Sequence, residues 1–110
     1  MIFIIGGRAQ GKQDFALKLN KDIGYNVMDN YQDMIRKEAE AGLDPIEEAR
    51  RRIDLDPDII IISNEVGMGV VPIDKKEREL RDIIGRTHTY IAGRAEQVYR
   101  VTCGIGQRIK

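Results

Sequence analysis

The chain is poor in the residues from which small proteins build cross-links and metal clusters: 110 residues hold one cysteine, Cys103, and one histidine, His88. A lone cysteine excludes an internal disulfide and offers no cysteine cluster for a metal. An excess of charge of one sign is also absent. Lysine plus arginine and aspartate plus glutamate each number 18, so the formal net charge is zero and no global field draws the chain to nucleic acid or an anionic membrane. Long hydrophobic runs are missing too. In the middle of the chain the longest unbroken aliphatic run is Ile59 to Ile62, far short of the ~20 residues of a membrane span, and the N-terminus lacks a secretory pattern. A soluble, cytoplasmic protein is expected. With no repeat and no low-complexity linker, a composition 42% hydrophobic and 33% charged predicts one small domain over residues 1–110. Such a domain gains modest burial, and association with copies of itself is expected.

What is present is concentrated at the start. Met1 to Ile5 is apolar and β-branched enough for a buried strand, and it breaks straight into Gly6-Gly7-Arg8-Ala9-Gln10-Gly11-Lys12-Gln13. Glycine, four residues, glycine and lysine form the spacing of a phosphate-binding loop, whose glycines let successive backbone N–H groups converge on an anion. Beyond Lys12, Phe15, Ala16, Leu19 and Ile23 recur at helical spacing, which sets a helix N-terminus and its dipole against the same concavity. Gly6 to Gln13 are therefore candidate nucleotide-binding residues. Lys12 is the candidate catalytic residue, because a mobile ammonium stabilises charge on β- and γ-phosphates. The alternative is a strand-turn-helix whose glycines only make the turn. Gln13 stands where such loops carry the hydroxyl that ligates magnesium. A carboxamide is longer and a poorer match to a tight octahedral shell, so phosphate binding is expected to survive better than phosphoryl transfer.

Downstream, strand and helix alternate. Asn26 to Met28 makes a short strand that ends at Asp29. Asn30 can cap a helix from about Tyr31 to Ala41, and Asp44-Pro45-Ile46-Glu47 starts another, with aspartate as cap and proline first. Its Arg50-Arg51-Arg52 is either a solvated face or a phosphate patch. Asp58 to Ser63 contains four consecutive isoleucines and implies cover on both faces. The longest helix runs from Asp74 to about Gln97, with Leu80, Ile83, Ile84, Thr87, Ile91, Ala95 and Val98 on one stripe and His88 at its edge. Val98 to Thr102 is another strand, and Gly104 and Gly106 lead into a short tail. Cys103 reads as a small buried residue near a strand end. Strands joined through helices predict a layered α/β domain with a small, mostly parallel sheet. Asn64 and Glu65 follow a central strand's carboxyl end, where open α/β sheets bind ligands. The alternative is that they close a turn or cap a helix.

Asn64-Glu65-Val66-Gly67-Met68-Gly69-Val70-Val71-Pro72, followed by Arg81-Asp82-Ile83-Ile84-Gly85-Arg86, resembles the signature of the bifunctional adenosylcobinamide kinase/adenosylcobinamide-phosphate guanylyltransferase family of cobalamin biosynthesis. The final Gly104 to Lys110 is similar to that family's C-terminal end, and Ile5 to Lys12 resembles its opening loop. The resemblance covers roughly the first twenty residues and everything from about Asp58 onward. It implies a P-loop NTPase-like three-layer fold, phosphorylation of the cobinamide hydroxyl by ATP or GTP with Mg2+, and transfer of GMP from GTP through a guanylylated histidine. On this chain it implies that Gly6 to Lys12 cradle nucleotide phosphates and that Asn64 and Glu65 line the nucleotide or substrate edge. It also implies that Asp29 supports magnesium, the alternative being an ordinary turn aspartate. Family members are longer, and the accepting histidine belongs to a stretch they carry between the first helix and the region of Asp29. No histidine lies there in this chain, and His88 does not correspond to it. Two functions follow: a shortened nucleoside-triphosphate-dependent transferase that keeps kinase chemistry, or a nucleotide- or corrinoid-binding module without turnover. A generic small phosphate-loop nucleotide binder stands outside the family.

Overall fold

The computed structural model describes residues 1–66 and 74–110. Gly67 to Pro72 of the family-like segment lie outside the described residues. The elements in chain order are β1 (Ile2–Gly6), α1 (Lys12–Asn20), β2 (Asn26–Met28), α2 (Tyr31–Glu40), α3 (Pro45–Leu55), β3 (Ile59–Asn64), α4 (Lys75–Arg94), β4 (Gln97–Thr102) and β5 (Ile105–Arg108). The sheet runs β2-β3-β1-β4-β5, parallel throughout except for the antiparallel β4–β5 pair. This is the α/β arrangement of a P-loop NTPase-like fold, with helices on both faces of a mostly parallel sheet.

The isoleucine runs make sense in this setting. Successive strand residues face opposite sides, and both sides are covered. Phe3, Ile59, Ile61 and Val98 pack with Tyr31 and Ile35 of α2, Ile53 of α3 and Ile84 and Ile91 of α4. Ile2, Ile4, Ile60, Ile62 and Val101 pack with Ala16, Phe15 and Leu19 of α1. A strand buried on both faces has no polar alternation to show, hence the continuous apolar run.

Local chemistry sets the helix ends. Asp44 accepts a hydrogen bond from the Ile46 N–H at 3.0 Å, and Asp74 accepts one from the Lys76 N–H at 2.9 Å, satisfying donors that the first turn leaves free. Asn30 precedes α2 as expected but adopts a left-handed backbone (φ 51°) with no capping side-chain bond. α4 stops at Arg94 rather than near Gln97, because Ala95 turns to extended backbone while its N–H still bonds the Ile91 carbonyl; Ala95 and Val98 reach the core from beyond the helix. α1 likewise ends before Ile23, which is exposed. The three arginines are taken up by carboxylates: Arg50 by Glu47 and Asp54, Arg51 by Glu48, and Arg52 by Glu38 at 2.6 Å.

Two expectations near the C-terminus are corrected. The tail after Gly104 is strand β5, and Cys103 is exposed, not buried. Both follow from a two-residue turn in which Cys103 and Gly104 each have positive φ, 51° and 75°, the backbone that matches the twist of an antiparallel hairpin.

β1 is central, and β4 approaches its last residue closely. A Cβ on Gly6 would collide with the Val101 carbonyl oxygen. Gly6→Ala is expected to lower stability by about 1–3 kcal/mol, the usual range for overpacking. In urea unfolding this reads as a lower midpoint at unchanged slope.

Candidate functional site

The glycine loop leaves β1 at the carboxyl edge of the sheet and returns as α1, whose first residue is Lys12. Ala9 and Gly11 supply the left-handed backbone of the turn, with φ of 58° and 88°. The hairpin after β4 fastens the loop from behind. The Gln10 side-chain oxygen accepts the Cys103 N–H at 2.7 Å, and the Gln10 carbonyl accepts the Gly104 N–H at 2.7 Å. A Cβ on Gly106 would run into the Phe15 ring, so β5 and α1 meet there without a side chain between them.

Lys12 is 2% exposed, and its Nζ donates to the Gly7 carbonyl at 2.6 Å. Burial pulls its pKa below the ordinary lysine value, while the carboxylates of Asp29 and Glu65 act in the opposite direction. The loop and the carboxylates of Asp29 and Glu65 thus lie at one edge of the sheet. Asp29 Oδ1 accepts the Asn30 N–H at 2.7 Å and faces Gln13 Nε2 at 3.5 Å, so the residue replacing the usual hydroxyl meets the candidate metal ligand. No group of three or more histidine, cysteine, aspartate and glutamate residues suited to a metal occurs among the described residues. Nor, among them, is any helix long and apolar enough to cross a membrane.

Asn64 and Glu65 reach the same edge by continuing β3. The Glu65 N–H bonds the Gly6 carbonyl at 2.9 Å. With Arg8, Asn30, Gln32 and Asp33 they line a cleft of about 450 Å³, within the ordinary size of ligand sites.

Three participants were not anticipated from the sequence. Gln32 of α2 accepts the Asn64 N–H at 2.9 Å through Oε1, with Ser63 Oγ 3.4 Å from the same oxygen. Arg100 of β4 holds both Glu65 oxygens, at 3.0 and 3.1 Å. His88 is buried at 7% exposure, with Nε2 2.7 Å from Ser63 Oγ and its ring against Phe3. The available signal was a serine ending an isoleucine run while a histidine interrupted an apolar helical stripe: two polar residues aimed at one core find each other.

A sequence model of the cobinamide kinase / cobinamide phosphate guanyltransferase family matches residues 24–109. The chain is 44% identical over 52 residues to the bifunctional adenosylcobalamin biosynthesis protein CobU of Salmonella typhimurium, covering 47% of this chain and 29% of that protein. The figures are the same for CobU of Escherichia coli. For the bifunctional adenosylcobalamin biosynthesis protein CobP of Pseudomonas aeruginosa they are 40% over 52 residues, with 47% and 30% covered. The chain thus spans about three tenths of the length of the curated relatives it matches. The family match takes in Asp29, Asn64, Glu65 and Arg100 and extends through residues 24–57, which lie outside the span of the sequence resemblance; it begins after the glycine loop.

Burial lowers the His88 pKa from 6.5 to about 4. The unfolded chain therefore binds a proton that the folded chain refuses between those values, so this contribution to stability is complete above pH 6.5 and is lost as pH falls toward 4. The full loss is about 3 kcal/mol. Urea unfolding of the wild type from pH 7 to 5 should show a steeper decline than His88→Asn, which has no imidazole to protonate.

Proposed function

The chain belongs to the cobinamide kinase / cobinamide phosphate guanyltransferase family, and on that premise we propose that Gly6 to Gln13 bind the phosphates of ATP or GTP beside a corrinoid-accepting cleft, in cobalamin biosynthesis. The observation that carries this reading is the buried Lys12 ammonium at the first turn of α1, in a loop facing the carboxylates of Asp29 and Glu65. Loop N–H groups and the helix N-terminus attract the phosphates. Lys12, which bonds the Gly7 carbonyl, exchanges that oxygen for a phosphate oxygen and supports the negative charge of a transferring group. Arg8, Asn64 and the fixed carboxamide of Gln32 orient whatever occupies the adjoining cleft.

Mg2+ is commonly held by one or two carboxylates together with phosphates and water, and Asp29 beside Gln13 fits that pattern once the Gln13 carboxamide turns its oxygen forward. Bound there, the ion would neutralise charge between β- and γ-phosphates. Glu65 does not join it while Arg100 holds both of its oxygens. The family's histidine step lies outside this reading, because the single histidine is buried behind β3 and bonded to Ser63.

A second reading, a binding module without turnover, is favoured by one contact: Gln13 offers its amide nitrogen to the carboxylate that would support magnesium. Calorimetric titration of ATP, GTP and adenosylcobinamide with and without Mg2+, beside a phosphoryl-transfer assay, separates the two. Nucleotide should bind, and Lys12→Ala should weaken it about tenfold or more, as expected for loss of a charge-assisted hydrogen bond. Gln13→Ser should strengthen the magnesium-linked part of the affinity. Absence of any nucleotide binding would overturn both readings and leave the loop a structural turn.

A further inference from the structure

Arg100 and Glu65 come from the two strands that flank β1. Arg100 of β4 lies opposite Ile5, and Glu65 follows Asn64 of β3, which lies opposite Gly6. Their side chains meet at the carboxyl end of the central strand, Nε to Oε1 at 3.0 Å and Nη2 to Oε2 at 3.1 Å. This is a two-pronged contact in which planar guanidinium matches planar carboxylate. The Glu65 side chain is 19% exposed and that of Arg100 44%, so the carboxylate, though not the guanidinium, is less screened than in an open surface bridge. Glu65 is also tethered through its own N–H to the Gly6 carbonyl, at the root of the glycine loop, and its charge is felt at Lys12.

A carboxylate fixed at that place repels an incoming polyphosphate. Around the mouth of the loop, Arg8 and Lys12 are outnumbered by Asp29, Asp33 and Glu65 unless Arg100 is counted. We propose that Arg100 is a positioning residue whose guanidinium cancels the Glu65 charge, so that the side-chain charges at the mouth balance and the N–H groups of the glycine loop and of the start of α1 are left to attract a nucleotide's phosphates. Arg100 acts here through Glu65 and does not itself touch the ligand. The inference rests on the loop being the nucleotide site.

The test is a double-substitution cycle read by calorimetry, with ATP and GTP titrated in EDTA at low ionic strength into wild type, Arg100→Gln, Glu65→Gln and the double variant. Arg100→Gln should weaken nucleotide binding about fivefold to tenfold, the size of one unmasked charge acting across a partly solvated site. Glu65→Gln in that background should restore it, and the loss should shrink as salt is raised. A merely structural role for Arg100 gives no such rescue. An equal loss with and without Glu65 would mean that Arg100 contacts phosphate itself and would overturn the inference, as would no loss at all. Wild-type protein that binds no nucleotide would remove the reading of the loop and this inference with it; wild-type binding with a silent Arg100→Gln removes the inference alone.

Discussion

Gly6 ends the central strand against the Val101 carbonyl, in a space where no side chain fits. That contact lets β4 lie close to β1 on one side while β3 pairs with it on the other. The chain leaving Gly6 therefore emerges between two neighbours that have already arrived at the same edge. β3 delivers Asn64 and Glu65 there, β4 delivers Arg100, and the turn beyond β4 delivers the groups that bind Gln10. Parallel strands make this convergence possible, since all three point their carboxyl ends the same way.

The same geometry explains the local electrostatics of a chain with no net charge. Balanced composition excludes a long-range field but not short-range order, and the charged groups are sorted into pairs. Arg52 lies between Tyr31 and Glu38, Arg94 reaches Asp54, and Arg100 grips Glu65. Such pairs, where exposed as in Arg94–Asp54, add little stability. Near the loop they set the local balance of charge. Lys12 bonds the Gly7 carbonyl there while Arg100 holds Glu65.

Much of the architecture was legible in the sequence because the signals were local. The isoleucine run, the glycine spacing, the aspartate-proline helix start and the apolar stripe of α4 each reflect interactions within one element or one face. Features that failed to show were those fixed by pairing between distant segments. β5 is too short and too polar to read as a strand, and exists because the turn at Cys103 and Gly104 folds it onto β4. Gln32, Arg100 and His88 carry no motif. Their roles come from the register that sets Ser63 beside Ile5, and from α2 and α4 packing on one face of the sheet. Cys103 departs from its expected burial for the same reason: its residue type favours burial, but the turn backbone sets its place.

The fastening of Gln10 to Cys103 and Gly104 joins segments 93 residues apart for the Gln10–Cys103 bond. β1 itself is flanked by strands that begin at Ile59 and Gln97. The loop is thus shaped by segments that lie far from it along the chain. Closing so long a span carries an entropy cost that short-range contacts do not, and domains dominated by distant pairings fold slowly. A chain cut before Cys103 would keep the glycine motif in full and lose the two bonds that hold Gln10.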